Sequence, residues 1–212
     1  MALAVDTYQL GPIGTNCYVV RADEAARESV VVDPGGDAGQ LHATLENAGI
    51  SCGAIVLTHT HFDHVGGVAD LADATGAAVY VSPEAVGGLE NPFSLPGLEV
   101  RAYAGARHVS GGDTLELADI GFDVLDVPGH APGHLSYYAD GSLFSGDVLF
   151  AGGVGRVDLP GGDWETLLDS IRLLVERYPP ETVVYSGHGP ATTLEAERAR
   201  NPFLVELRST SK

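Results

Sequence analysis

Along the first third of the chain, apolar positions cluster into short extended runs. Val5 to Leu10, Cys17 to Arg21, Ser29 to Asp33 and Ala54 to Thr58 have strand length, and the last two are apolar almost without interruption. Continuous apolar runs of that length predict strands buried on both faces of a sheet. Between them the period changes. From Asp37 to Ala48, Leu41, Leu45 and Ala48 recur at helical spacing behind Asp37, which is placed to act as an N-cap, and Val65 to Thr75 repeats the pattern before a strand at Ala78 to Val81. Gly87 to Gly112 is rich in Gly and Pro and has no clear period, which predicts a long surface connection bordering a cleft.

A second alternating set follows. Strands are predicted near Thr114 to Leu117, Gly121 to Val127, Leu135 to Tyr138, Ser142 to Ser145 and Thr182 to Tyr185, with a helix over Trp164 to Glu176 capped by Asp163. No repeat of fixed length links the halves, yet each offers strands followed by helices. Two sheets packed together with helices outside would bury these faces, so the expected fold class is α/β, a four-layer αβ/βα sandwich. With 212 residues, 44% of them hydrophobic, the chain can bury one sizeable core, and residues 1–212 are read as a single domain.

Charge and cysteine content narrow the function. Eleven Lys and Arg against 29 Asp and Glu give a net charge of −18, and Lys212 is the only lysine. A phosphate backbone requires clustered cations, so no nucleic-acid partner is expected. Cys17 and Cys52 are too few for a disulfide framework and form no CxxC pair; both read as buried apolar residues in a reducing cytoplasm. The opening residues lack a basic segment followed by a sustained apolar run, and no later run is long enough to span a bilayer, so a soluble, unexported protein with no membrane association is expected. Nothing in the pattern specifies an oligomeric state.

The densest chemical signal is His59-Thr60-His61-Phe62-Asp63-His64, directly after a predicted buried strand and before a Gly-Gly turn. Alternate residues of an extended segment project the same way, so His59 and His61 can reach one metal, while Asp63 and His64, past the bend, point to a second. Three more candidates lie at predicted strand ends: His130, Asp147 and His188. Taken singly, Asp147 reads as a turn residue and His188 as a loop residue. Together the set supplies five imidazoles and two carboxylates, donors suited to two divalent ions.

This arrangement resembles the metallo-β-lactamase superfamily, through the HxHxDH motif at 59–64 and the later His, Asp and His in matching order. The resemblance implies that His59, His61 and His130 hold the first metal and Asp63, His64 and His188 the second, with Asp147 bridging. It implies zinc, with iron or manganese as alternatives. Asp33 looks like the family's supporting aspartate behind a ligand, although a turn aspartate before Pro is an ordinary structural reading too. His134, in the repeated Pro-Gly-His pattern, is read as structural support in preference to a ligand.

Within the superfamily, Phe144-Ser145-Gly146-Asp147-Val148-Leu149-Phe150, Gly155-Arg156-Val157-Asp158 and Gly187-His188-Gly189-Pro190 resemble short bacterial glyoxalase II-like hydrolases. Metallo-β-lactamases proper lack an aspartate at the bridging position, so Asp147 argues against antibiotic hydrolysis as the main role. Full-length glyoxalase II carries a C-terminal helical domain of a size absent here, and places a Lys and then an aromatic residue where this chain has Arg156 and Asp158. Arg156 is read either as a surface residue paired with Asp158 or as a clamp on a carboxylate of the thiol carrier. The implied reaction is hydrolysis of a small-molecule thioester such as an S-hydroxyacyl thiol conjugate. Asp63 and Asp147 would orient a water activated between two cations, with no Ser or Cys nucleophile. Rivals of the same fold are a mononuclear iron persulfide dioxygenase and a lactone hydrolase; a rival of another class is a metal-binding scaffold without activity.

Overall fold

The computed structural model describes residues 2–94, 96–97 and 99–204. Leu95 and Leu98, within the predicted 87–112 connection, and the last eight positions of the 1–212 reading lie outside the described residues. The first sheet takes its six strands in chain order: β1 (Ala4–Leu10), β2 (Thr15–Arg21), β3 (Glu28–Val32), β4 (Ser51–Val56), β5 (Ala78–Val81) and β6 (Arg107–His108). β1, β2 and β3 are antiparallel neighbours, whereas β3 to β6 run parallel, so consecutive parallel strands need crossovers. Helices α1 (Ala38–Ala48) and α3 (Val68–Thr75) occupy two of these, and α4 (Val86–Glu90) lies in the third.

The second sheet contains β7 (Thr114–Leu117), β8 (Ile120–Asp126), β9 (Leu135–Ala139), β10 (Ser142–Gly146), β13 (Val183–Ser186) and β14 (Thr192–Thr193), ordered β14-β13-β10-β9-β8-β7. A hairpin of β11 (Leu149–Phe150) and β12 (Gly153–Val154) stands apart from it. Helices α5 (Trp164–Arg177) and α6 (Leu194–Arg200) and a 3-10 turn at Pro202–Leu204 complete the described chain. Among the described residues no helix is long and apolar enough to cross a membrane.

Strand alternation explains the layering. On β2 to β4, Cys17, Val19, Val31 and Ile55 pack with Leu41, Leu45, Val68 and Leu71 of the helices. Their neighbours Tyr18, Val20, Val30, Val32, Ala54 and Val56 face the other way and pack with Phe122, Val124, Leu135, Tyr137 and Phe144 of the second sheet. The outward residues of that sheet, Leu125, Leu143 and Val184, meet Leu167, Leu168, Ile171 and Leu174 of α5. The result is helix, sheet, sheet, helix, the expected four-layer αβ/βα order. Each fully buried aliphatic side chain contributes about 1.5–3 kcal/mol, so most of the stabilisation lies in these three layers of contact.

Local departures from expectation have physical causes. The helix expected over Val65–Thr75 is two, α2 (Phe62–Val65) and α3, broken at Gly66-Gly67. A Cβ on Gly66 would lie 2.4 Å from the Gly35 carbonyl oxygen, and one on Gly67 2.9 Å from that of Pro34, so the paired glycines let the loop after β3 lie against this turn. Asp37 does not cap α1. It sits in the left-handed region (φ 46°) with no side-chain bond to the helix, and its carboxylate accepts from the Gly11 amide at 2.9 Å instead, tethering the β1–β2 turn. Asp163 does cap α5, accepting from the Thr166 amide at 2.8 Å. The 87–112 connection is not wholly superficial: it yields most of α4, contributes the edge strand β6 and buries Leu89, Val100 and Val109.

Candidate metal centre

Every candidate donor follows the C-terminal end of a strand, and the topology brings those ends to one edge of the sandwich. In the first sheet parallel β3 and β4 deliver Asp33 and the segment 59–64. In the second, parallel β10 and β13 deliver Asp147 and His188, and β8, two antiparallel steps from β10, points the same way and delivers His130. The sheets are latched along this edge. The Asn16 amide N–H donates to the Gly187 carbonyl (2.8 Å), its side chain donates to the carbonyls of Ser186 (2.9 Å) and Gly189 (2.8 Å), and the Leu135 amide donates to the Thr58 carbonyl (2.7 Å).

Two donor triads result. His59 Nε2 and His130 Nε2 lie 3.0 and 2.9 Å from His61 Nδ1. In the other, Asp63 Oδ2 lies 3.5 Å from His64 Nε2 and 3.2 Å from His188 Nε2. The donors of each triad fall within 4.8 Å of one another. Asp147 stands between them, with Oδ1 3.4 Å from His64 Nε2 and Oδ2 3.6 Å from His130 Nε2 and 3.5 Å from His188 Nε2. Glycine makes this approach possible: a Cβ on Gly187 would lie 2.2 Å from Asp147 Oδ1 and 2.6 Å from His64 Cε1.

The outward atoms of these rings are already engaged, which turns their lone pairs inward. His64 Nδ1 donates to Asp33 Oδ2 (2.9 Å), and His130 Nδ1 donates to the Arg156 carbonyl (2.8 Å). The Thr58 hydroxyl donates to Asp33 Oδ2 (2.6 Å) and so accepts from His59 Nδ1 (3.1 Å). With these protons outside, the Nε2 atoms of His59, His64 and His130 present lone pairs to the centre. His64 Nε2 and Asp147 Oδ1 are buried with no hydrogen-bond partner among the described residues. Buried orphans that face each other, beside imidazole lone pairs about 3 Å apart, are unfavourable without a cation and fit divalent metals. A third convergent set, Asp33, His59 and His64, has its Asp33 oxygens taken by Thr58 and His64.

Electrostatics divide the triads. Burial, and then the facing His130, holds His61 down at about 4; burial also lowers His59 and His130. These three imidazoles are neutral. In the other set, hydrogen bonds that His188 donates to Asp147 and Asp63 raise it to about 9, and although burial opposes a charge on His64, the Asp147 and Asp33 carboxylates raise it. Burial opposes ionisation of Asp63, yet His188, His64 and Thr15 bring it down to about 2. The same carboxylates that favour positive charge on these two rings would favour a cation in its place.

Asp33 sits behind His64. It adopts φ 51° and accepts three hydrogen bonds, from the Thr58 amide (2.8 Å), the Thr58 hydroxyl and His64, and a strained non-glycine residue held this firmly is typical of a functional site. His134 stacks on His59 and donates nothing to either triad. The Arg156 guanidinium is exposed and bidentate to Asp158 at 2.6 and 2.7 Å, whereas its carbonyl is the group that orients His130. Two supports went unread in the sequence: Thr58, and Thr15, whose hydroxyl donates to Asp63 Oδ2 at 2.8 Å. Thr15 opens a strand after a glycine turn, and only its burial beside Asp63 marks it.

An αβ/βα sandwich with clustered His and Asp donors at one strand-end edge defines a class of metal-site hydrolase. The chain belongs to the metallo-β-lactamase superfamily, whose family model matches residues 10–188. It is 35% identical over 199 residues to the hydroxyacylglutathione hydrolase GloC of Haemophilus influenzae, covering 89% of this chain and 92% of that protein. Among solved structures, the B3 metallo-β-lactamase BLEG-1 superposes with a TM-score of 0.88 at 41% identity, covering 95% of this chain and 100% of that one. The di-iron-bound form of TTHA1623 gives 0.83 at 40%, covering 94% and 100%.

Proposed function

We propose that this chain is a binuclear metal-dependent hydrolase of small-molecule thioesters, of the glyoxalase II-like kind. The observation that carries the binuclear reading is the pair of donor triads with the Asp147 carboxylate between them. His59, His61 and His130 would hold one ion, Asp63, His64 and His188 the other, and Asp147 both. Likeness to a hydroxyacylglutathione hydrolase supports the thioester as substrate. Zinc and iron both suit the mixed imidazole and carboxylate donors, and the di-iron form of TTHA1623 keeps iron in view.

Two divalent cations bound here supply a Lewis acid for the thioester carbonyl and bring the pKa of a water near neutrality. The chain supplies position. Thr15 fixes Asp63, and the strand end fixes Asp147, so that both carboxylates orient the attacking water while Asp33 and the Arg156 carbonyl keep His64 and His130 in their ligating tautomers. Water adds to the carbonyl carbon and the C–S bond breaks, giving a hydroxy acid and a free thiol. Arg156 would hold a carrier carboxylate by exchanging it for Asp158, a pair exposed enough to open.

The test is metal analysis combined with a substrate panel. Two ions per chain and turnover of an S-hydroxyacyl thioester, abolished by chelation, are expected. One iron with oxygen uptake on a thiol persulfide would replace this reading with the dioxygenase, and preferential lactone opening with the lactonase. β-Lactam hydrolysis is the second reading, favoured by the 41% identity to BLEG-1, and wins if a β-lactam outpaces every thioester. Asp147→Ala is expected to lose one ion; two ions and normal turnover in that variant would remove Asp147 from the bridging role.

A further inference from the structure

His134 is fully buried, lies at the candidate centre and belongs to neither triad. Its main chain joins the two sheets: its carbonyl accepts from the Val127 amide (2.8 Å) past the end of β8, and the next amide, of Leu135, donates to Thr58 past the end of β4 (2.7 Å). Its ring lies flat on His59, with centroids 4.7 Å apart and planes 17° from parallel. Its Nε2 accepts from the Asp147 amide at 3.2 Å. An acceptor Nε2 puts the ring proton on Nδ1, which is buried and has no partner among the described residues. The strand end is shaped around this ring: Gly146 has φ 50°, and a Cβ there would lie 2.7 Å from His134 Cε1 and 2.4 Å from Thr58 Oγ1.

We infer that His134 is a positioning residue for the proposed binuclear centre, its Nε2 holding the peptide of Asp147 and its ring face holding His59. One neutral imidazole thereby fixes a member of the first triad and the carboxylate between the triads. A purely space-filling residue would leave the buried Asp147 N–H without a partner, and tilting of that peptide plane about the flanking φ and ψ bonds would move the carboxylate proposed to lie between both ions. The inference rests on the metal-centre reading of the preceding subsection.

Three variants separate acceptor from filler. His134→Phe keeps an aromatic ring against His59 and removes the Nε2 acceptor; His134→Gln places a carbonyl oxygen where Nε2 was; His134→Asn carries a side chain too short to reach the Asp147 amide. Each is prepared metal-free and titrated with zinc against a chromophoric chelator, and its cobalt-substituted form is recorded by visible absorption, with thermal melts of the metal-free proteins as the control for folding. The expected result is about 10- to 100-fold weaker binding of at least one ion and an altered cobalt spectrum in Phe and Asn, with Gln restored towards wild type. Wild-type affinities and spectrum in His134→Phe would overturn the role. Should Phe fail to fold, Gln against Asn decides, and equal behaviour of the two overturns it. A wild-type protein that binds no metal would instead sink the metal-centre reading itself.

Discussion

Replacing Asp33 by Asn isolates the support behind His64. The backbone should tolerate the change, because Asn accepts the left-handed conformation at φ 51° at least as readily as Asp. The hydrogen bonding cannot be preserved. Asp33 Oδ1 accepts from the Thr58 amide, and Oδ2 accepts from both the Thr58 hydroxyl and His64 Nδ1. If the new NH2 takes the Oδ1 position, it faces a backbone N–H, and a buried donor left unpaired costs about 1–3 kcal/mol. If it takes the Oδ2 position, His64 Nδ1 must become an acceptor, which moves the ring proton to Nε2, the atom aimed at Asp63 and Asp147. The first orientation lowers the melting temperature of the metal-free protein by roughly 2 to 12 °C for a chain of this size. The second leaves the fold nearly intact and would weaken the ion proposed for Asp63, His64 and His188 by about 10- to 100-fold. Thermal unfolding of the metal-free variant, paired with chelator-competition titration, reads both. A variant that melts with the wild type and binds two ions with unchanged affinity would refute the reasoning, since no placement of the amide satisfies all three donors.

Gly187→Ala drives a methyl group to 2.2 Å from Asp147 Oδ1, so an overpacking penalty of about 1–3 kcal/mol and loss of the ion proposed beside His64 are expected, measured by denaturant melts and metal content. Unchanged metal content would show that the Gly187 backbone moves freely. Arg156→Ala should raise KM roughly tenfold for a thioester whose carrier bears a carboxylate, with kcat nearly constant and metals retained. A small thioester without a remote carboxylate should be indifferent; an equal loss on both substrates places Arg156 in the chemistry or the fold. With a net charge of −18, melting temperature should rise as salt goes from about 0.01 M to about 1 M and the screening length falls from about 30 Å to about 3 Å; a flat or falling profile would exclude self-repulsion as a destabilising force.

What was legible in the sequence divides along a physical line. Strands with one or two apolar faces carry their own period, so the longer strands were found to within a few residues, and the layers followed from having two sets of such faces to bury. β6, β11, β12 and β14 have two residues each, too few to show alternation, and β6 is exposed at both; they exist through backbone pairing that no side chain announces. The candidate donors were legible as a set, because Asp147 or His188 alone has an ordinary turn or loop reading, whereas seven His and Asp just past strand ends compound the signal. Their supports were not. Thr15 acts on Asp63 across 48 residues, and Thr58 matters only because Asp33, 25 residues earlier, curls into a left-handed turn beneath it. Asp37 shows the converse: its type and spacing are those of an N-cap, but the same left-handed geometry turns its carboxylate away from the helix and onto Gly11. Arg156 makes a contact of the same hidden kind, since the group that orients His130 is a carbonyl oxygen that every residue possesses. Donor identity is written locally in side-chain type, whereas donor orientation is set by contacts that exist only after the two sheets have closed on each other, and it is orientation that decides which nitrogen of each ring carries the proton.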